Sequence, residues 1–253
     1  MRFTSLASGS SGNCYLVSSK QGDVLIDAGI SLRNIKKRLS AVGKDLENVQ
    51  GCFLSHEHSD HVKAAPKLLD AGVPVFANRG TAEAMGHSGM RLFTTDEAFD
   101  FLGMRILPFS KSHDAAEPVS FTLREGMHAL SVLTDVGYVS KKVAESVKLA
   151  NAVVVEANHD VFMLKQGPYP EELKKRILGK QGHLSNYESA LLLLEHASPA
   201  LQHVVLGHLS ETNNSPKVAL QTFKNILQER VDLQSVQIHV APPDEALPLL
   251  ELL

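Results

Sequence analysis

Cysteine is almost absent from this 253-residue chain. Cys14 and Cys52 are the only two, and they form no CxxC pattern. That argues against a disulfide framework and suits a reducing cytoplasm. Both are expected in the core. No apolar run approaches the ~18 residues needed to span a bilayer, so no membrane association is expected. The opening Met1-Arg2-Phe3-Thr4 has no basic flank leading into an apolar signal core, which again points to a cytoplasmic protein. No Pro/Gly/Ser-rich linker and no internal repeat divides the chain, so a single domain over 1–253 is expected. Surplus positive charge is also missing. Net charge is −3, which gives no general attraction to nucleic acid. What is present is 43% apolar residues, enough for a sizeable core.

The hydrophobic pattern alternates between short strands and helices. Strands fit Cys14–Ser18, Asp23–Asp27, Val49–Ser55, 75–77, 91–94, 105–108, 120–124, 129–134, 152–156, 204–207 and 236–240. Helices fit 31–42, 60–71, 80–86, 140–149, 169–178, a segment around Tyr187–Leu194, and a segment around Ala219–Leu227. That order predicts an α/β layered domain with helices outside stacked sheets.

Residues 56–61 read His-Glu-His-Ser-Asp-His at the exit of an apolar strand. Four potential metal ligands, His56, His58, Asp60 and His61, lie within these six residues. Imidazole suits zinc, iron or manganese, and carboxylate tolerates the same ions. In an extended segment His56, His58 and Asp60 point one way. A helix beginning near Asp60 would turn Asp60 and His61 toward a second point. One ion can then take His56 and His58 and another Asp60 and His61, a pattern of two-metal hydrolases. Further ligands belong at strand ends, where loops carry chemistry on a rigid frame. His113, Asp135 and His208 each stand just past a strand.

Several neighbours of this set have open readings. Ser185-x-x-Glu188 ahead of an apolar helix is a capping-box pattern, which places His183 near a helix start. Glu156 follows a buried run, so it is read as a partner orienting a ligand or His183. A helix cap by Asp160 is equally consistent. The Gly/Ser/Asn loop at 8–13 either approaches the site by its backbone or is only a hairpin turn. Two segments are basic. Arg33, Lys36, Lys37, Arg38 and Lys44 form one, and Lys165, Lys174, Lys175, Arg176 and Lys180 the other. Each reads as a solvated helix face or as a surface that tracks a phosphate backbone.

The His56–His61 cluster with His113, Asp135 and His208 resembles the ligand set of the metallo-β-lactamase fold superfamily. Within it, the chain is similar to the YycJ (WalJ) nuclease group. The resemblance is carried by Leu6-Ala7-Ser8-Gly9-Ser10-Ser11-Gly12-Asn13, by Glu156-Ala157-Asn158-His159-Asp160, by Tyr169-Pro170 through Arg176-Ile177-Leu178, and by Gly182-His183-Leu184-Ser185-Asn186. It implies a four-layer αββα sandwich and two divalent ions, Mn²⁺ or Zn²⁺. One ion would take His56, His58 and His113 and the other Asp60, His61 and His208, with Asp135 bridging. It implies a phosphodiesterase that attacks with a metal-bridging hydroxide, acting on DNA as a 5′-to-3′ exonuclease. Asp60 and His183 would be catalytic, since His183 resembles the non-ligand histidine of RNase Z enzymes that protonates the leaving oxygen. Lys174, Lys175 and Arg176 would contact the nucleic acid. The chain lacks the long arm of RNase Z, the cap domain of β-CASP nucleases and the helical domain of glyoxalase-II-like thioesterases. Two alternatives stay open: an RNA-processing or small cyclic-phosphodiester hydrolase, and a metal-dependent DNA-binding regulator without turnover.

Overall fold

A computed structural model describes residues 1–253. In chain order its elements are β1 (Arg2–Ala7), β2 (Cys14–Ser18), β3 (Asp23–Ile26), α1 (Leu32–Ala41), β4 (Val49–Phe53), α2 (Ser59–Val62), α3 (Ala65–Asp70), β5 (Val75–Ala77), α4 (Arg79–Met85), β6 (Arg91–Leu92), β7 (Phe99–Phe101), β8 (Met104–Ser110), β9 (Val119–Glu125) and β10 (His128–Leu133). They continue with α5 (Lys141–Lys148), β11 (Ala152–Glu156), α6 (Val161–Gln166), α7 (Glu171–Ile177), α8 (Asn186–His196), β12 (His203–Gly207), α9 (Pro216–Leu227), β13 (Gln237–Val240) and β14 (Leu250–Glu251). The chain divides into two compact units, one of Met1–Ser110, Ala115–Met127 and Ala241–Leu253, the other of Lys111–Asp114 and His128–Val240. No helix is long and apolar enough to cross a membrane.

The first unit contains a sheet in the order β14-β1-β2-β3-β4-β5-β6, antiparallel through β3 and parallel from β3 to β6. It also holds the antiparallel run β7-β8-β9. Leu6, Leu16, Leu25, Ile35, Leu39, Leu54 and Leu68 are packed in one core cluster with Cys14 and Cys52. On another side, Phe53 stacks on Phe76 at 4.7 Å and meets Phe101 edge-on at 5.3 Å. Both cysteines are free and buried, as expected, and burial pushes both thiols up.

The second unit is built on parallel β10, β11, β12 and β13. Ala152-Val-Val-Val-Glu156 is buried throughout, as a central parallel strand covered on both faces must be. The register aligns Leu133 with Val155, Val155 with Leu206, and Leu206 with Val240. Their carboxyl ends therefore finish level, and Asp135, Glu156 and His208 stand at or just past them. That is where ligands collect on parallel sheets. The first unit repeats the device, since Ile26 pairs with Phe53 and is followed by Asp27, while the chain past Phe53 leads to His56.

Most expected elements are found, with instructive differences. The single helix expected over 60–71 is two short ones, α2 and α3. Ala64 N donates to Ala28 O and Asn13 N to Asp60 O, so the bond that would continue the helix is replaced by two tertiary ones. Pro66, which lacks an N–H, opens α3. The strand expected over 23–27 stops at Ile26, because Asp27 adopts φ +61°. The strand expected over 49–55 stops at Phe53, and 91–94 is only Arg91–Leu92. β1, β7, α6 and β14 were not expected from the pattern. Arg38 is not on a solvated face: it is buried and donates to Leu6 O and Pro243 O.

Candidate metal centre

In the first unit the His56–His61 segment is held by one buried carboxylate. Asp27 Oδ1 accepts from Ser55 N at 2.8 Å, and Oδ2 from Ser55 Oγ at 2.9 Å and His61 Nδ1 at 2.8 Å. The Ser55 hydroxyl spends its proton on Asp27, so it accepts from His56 Nδ1 at 2.9 Å. These bonds fix both tautomers and leave each Nε2 with its lone pair. That of His56 faces His58 Nδ1 at 3.1 Å, and that of His61 faces Asn13 Nδ2 at 3.2 Å and the Asp60 carboxylate at 3.3 Å. Imidazoles held by a carboxylate on one nitrogen, with the other nitrogen free to donate electrons, are the usual arrangement around a bound ion. The structure thus brings together all four ligands read from the cluster.

The loop at 8–13 does approach this site by its backbone. Asn13 N donates to Asp60 O at 2.8 Å, and Gly29 N to Asn13 O at 2.8 Å. Gly29 is required here: a Cβ on it would overlap the Asp60 carbonyl.

In the second unit one fully buried carboxylate, Glu156, organises the rest. Its Oε1 accepts from His208 Nδ1 at 2.7 Å and from His183 Nδ1 at 2.8 Å. Its Oε2 accepts from Val136 N at 3.0 Å and Leu184 N at 3.2 Å. Burial pushes this carboxyl up, but the charge and hydrogen bonds of His183 and His208 outweigh it and hold the pKa at about 2. Asp135 Oδ1 lies 3.4 Å from His208 Nδ1, 3.6 Å from His183 Nδ1 and 3.7 Å from His113 Nε2. His113 Nδ1 donates to Gly182 O at 3.3 Å, which leaves its Nε2 as the electron donor. Asp135, Glu156, His183 and His208 each offer an atom within 4.8 Å of the others.

Three residues at these two sites, Asp27, Asp135 and His208, have φ of +61°, +54° and +54°. Positive φ is disfavoured for side chains larger than glycine, and strain of that kind gathers at functional sites. The Asn158 amide donates to His208 O at 3.1 Å and so helps hold one of these conformations. The donor sets fit divalent ions: they are buried imidazoles of fixed tautomer alongside carboxylates, matching the hard-to-borderline preference of zinc and manganese.

Burial lowers the His113 pKa from 6.5 to about 4, although the Asp135 charge opposes it. The imidazole is therefore neutral at pH 7 and available to a metal. The unfolded chain takes up this proton near 6.5 and the folded chain only near 4, so between those values the unfolded state binds more protons. The stabilisation is complete above about 6.5 and is lost as pH falls toward 4. Urea unfolding of the metal-stripped protein should thus show stability declining through that window, and His113→Gln should flatten the decline.

In the basic segment at 165–180 several cations pair with neighbouring acids at the surface. Lys174 Nζ bonds Lys165 O at 2.9 Å and Glu171 at 3.0 Å, and Lys175 pairs with Glu172 at 3.1 Å. Arg176 Nε donates to Asp114 at 2.7 Å and its Nη2 contacts the same carboxylate. Asp114 neighbours His113, so Arg176 steadies the loop of a candidate ligand. Arg176→Ala should weaken metal binding by about 10-fold, the lower end for second-sphere partners. Competition against a metal-sensitive dye would measure it.

Other open readings resolve as follows. Ser185 and Glu188 form the capping box of α8, and Asp160 caps α6 through Met163 N at 2.8 Å. Asp27, Asn13, Ser55 and Asn158 were missed as site residues. Asp27 had a legible signal, an acid closing an apolar strand two residues before Gly29.

A β-lactamase superfamily domain model matches residues 23–209. The exodeoxyribonuclease YycJ of Bacillus anthracis is 35% identical over 238 residues, covering 91% of this chain and 90% of that protein. The exodeoxyribonuclease WalJ of Streptococcus pneumoniae is 33% identical, covering 99% and 98%. Among solved structures, the metallo-β-lactamase fold protein YhfI of Bacillus subtilis superposes with a TM-score of 0.72 at 15% identity, covering 97% of this chain and 98% of that one. The α/β sandwich of metallo-β-lactamase type that the resemblance implies is borne out, and its sheets are mixed.

Proposed function

The chain belongs to the metallo-β-lactamase fold nuclease group of the β-lactamase superfamily and is a metal-dependent hydrolase; we propose that it is a two-metal phosphodiesterase that removes nucleotides from the 5′ ends of DNA. In this reading the two compact units work as one hydrolase domain in the cytoplasm. One Mn²⁺ or Zn²⁺ would be held by His56, His58 and His113, the other by Asp60, His61 and His208, and Asp135 would serve both. Bound there, the ions supply Lewis acidity that brings the pKa of water down toward about 7 and neutralises charge at phosphorus.

The observation that carries the reading is the shared carboxylate of Glu156. It accepts from Nδ1 of both His208 and His183. Two imidazoles so close cannot both serve as ligands through Nδ1, since that nitrogen is committed in each. His208 stands at a parallel strand end among the buried donors. His183 is the more exposed, at 21% of its side chain. Its Nδ1 proton is anchored on Glu156, and Nε2 is left to hold a proton for the departing oxygen. The hydrogen bond to Glu156 fixes the orientation of the ring, which a proton donor to a departing oxygen requires. An alkoxide leaving group needs that proton; a stable leaving group does not.

The role of Lys174, Lys175 and Arg176 narrows accordingly. Lys175, 71% exposed, is the one we assign to the phosphate backbone, with Lys174 and Arg176 bracing the segment.

A digestion panel tests the function. Metal-loaded protein is offered end-labelled single- and double-stranded DNA, RNA and bis(p-nitrophenyl) phosphate. Mononucleotides released progressively from 5′ ends of DNA are expected. Cleavage confined to RNA would replace the substrate class, and DNA binding without any metal-dependent cleavage would make the chain a regulator.

A further inference from the structure

A cavity of about 530 Å³ opens beside Asp60, lined by Ser10, Ser11, Glu57, Lys63, Pro66 and Met85 among others. Its size falls within the ~300–1,000 Å³ of small-ligand pockets. The lining is sorted by chemistry. Pro66 and Met85 give apolar lining able to contact a flat ring. Ser10 and Ser11 are exposed at the tip of the turn closed by Gly12 N donating to Gly9 O at 3.0 Å. That turn is pinned beside the metal ligands because Asn13 N bonds Asp60 O. Glu57 Oε1 accepts from Ala116 N at 2.8 Å, while its buried Oε2 has no protein partner. A carboxylate oxygen held this way accepts from N–H or O–H groups and repels phosphate.

We propose that this cavity is a nucleoside subsite: it takes the sugar and base of the terminal nucleotide, esterified to the phosphate under attack. The hydroxyls of Ser10 and Ser11 would supply the polar contacts to the base or sugar, with the Glu57 carboxylate as the negative charge beside them. The negative charge of Glu57 in the lining disfavours a continuing phosphodiester chain, so the cavity admits a strand end and not a strand interior. Lys63, at the rim, suits the phosphates that remain outside. This assignment rests on the phosphodiesterase reading above and adds to it the means by which an end is recognised.

The test compares thymidine p-nitrophenyl phosphate, as its 3′ and 5′ isomers, with methyl p-nitrophenyl phosphate. Leaving group and reacting phosphorus are the same, and only the nucleoside differs. One thymidine isomer is expected to show a kcat/KM at least about tenfold above the methyl ester, mainly through KM, in keeping with stacking of a single base. Ser11→Trp fills the cavity from an exposed turn and should abolish the preference for the thymidine ester over the methyl ester. Ser10→Trp is the second variant should the first not fold. Equal rates on both substrates in the wild type, or a preference untouched by the tryptophans, would overturn the subsite while leaving the phosphodiesterase intact. If no diester is cleaved, the phosphodiesterase reading falls and the subsite with it.

Discussion

Asp135→Asn should leave a folded chain that retains at most one ion and has lost DNA cleavage by well over 100-fold. The expectation follows from where the carboxylate sits. Its Oδ1 is within 3.4–3.7 Å of ring nitrogens of His113, His183 and His208. In the proposed centre, replacing this carboxylate by a neutral amide would remove the charge that offsets two dications. Even residues one sphere further out typically cost about 10–100-fold in affinity or activity. The backbone should tolerate the change well, because asparagine accepts positive φ more readily than most residues and Asp135 is at φ +54°. Metal analysis beside circular dichroism would separate site loss from unfolding. Full metal content with normal turnover would remove Asp135 from the centre.

His183→Ala should keep both ions and lose DNA cleavage by about 10²–10⁴-fold, the range of general acid catalysis. A p-nitrophenolate leaving group departs without protonation, so bis(p-nitrophenyl) phosphate should be affected much less. Equal losses on both substrates would make His183 a phosphate-positioning group. Loss of one ion would make it a ligand, an outcome the common 4.8 Å neighbourhood of Asp135, Glu156, His183 and His208 makes worth measuring. Glu156→Gln should be more damaging than either reading of His183 alone, because one residue orients both rings. It should lower metal affinity through His208 and activity through His183.

The candidate ligand set was legible in the sequence because its strongest part is local. His56 through His61 is one short segment, and His113, Asp135 and His208 follow strands recognisable by their apolar runs. The orienting carboxylates were harder. Glu156 could be suspected from its place after Val153–Val155, but that it holds two histidines, 27 and 52 residues away, is a product of parallel registration. Asp27 reads as the last residue of a strand until the turn at positive φ aims it at His61, 34 residues on. The broken helix at 60–71 shows the same limit. Helical spacing continues through Lys63 and Ala64, yet long-range backbone bonds from Asn13 and to Ala28 win locally. Charge was the least legible feature. Arg38 counts as a surface cation in any helical pattern but is buried on two carbonyls, and the pairing of exposed Arg176 with Asp114, 62 residues away, has no signal in the pattern.

The most direct test of the central claim is metal stoichiometry tied to turnover. Metal-stripped protein is titrated with Mn²⁺ or Zn²⁺ under equilibrium dialysis, with exonuclease activity read on end-labelled DNA at each point. Two ions per chain should bind, with cleavage returning fully only as the second is taken up, and His58→Ala should hold fewer. Saturation at one ion with full activity, or cleavage by the stripped protein, would contradict the account.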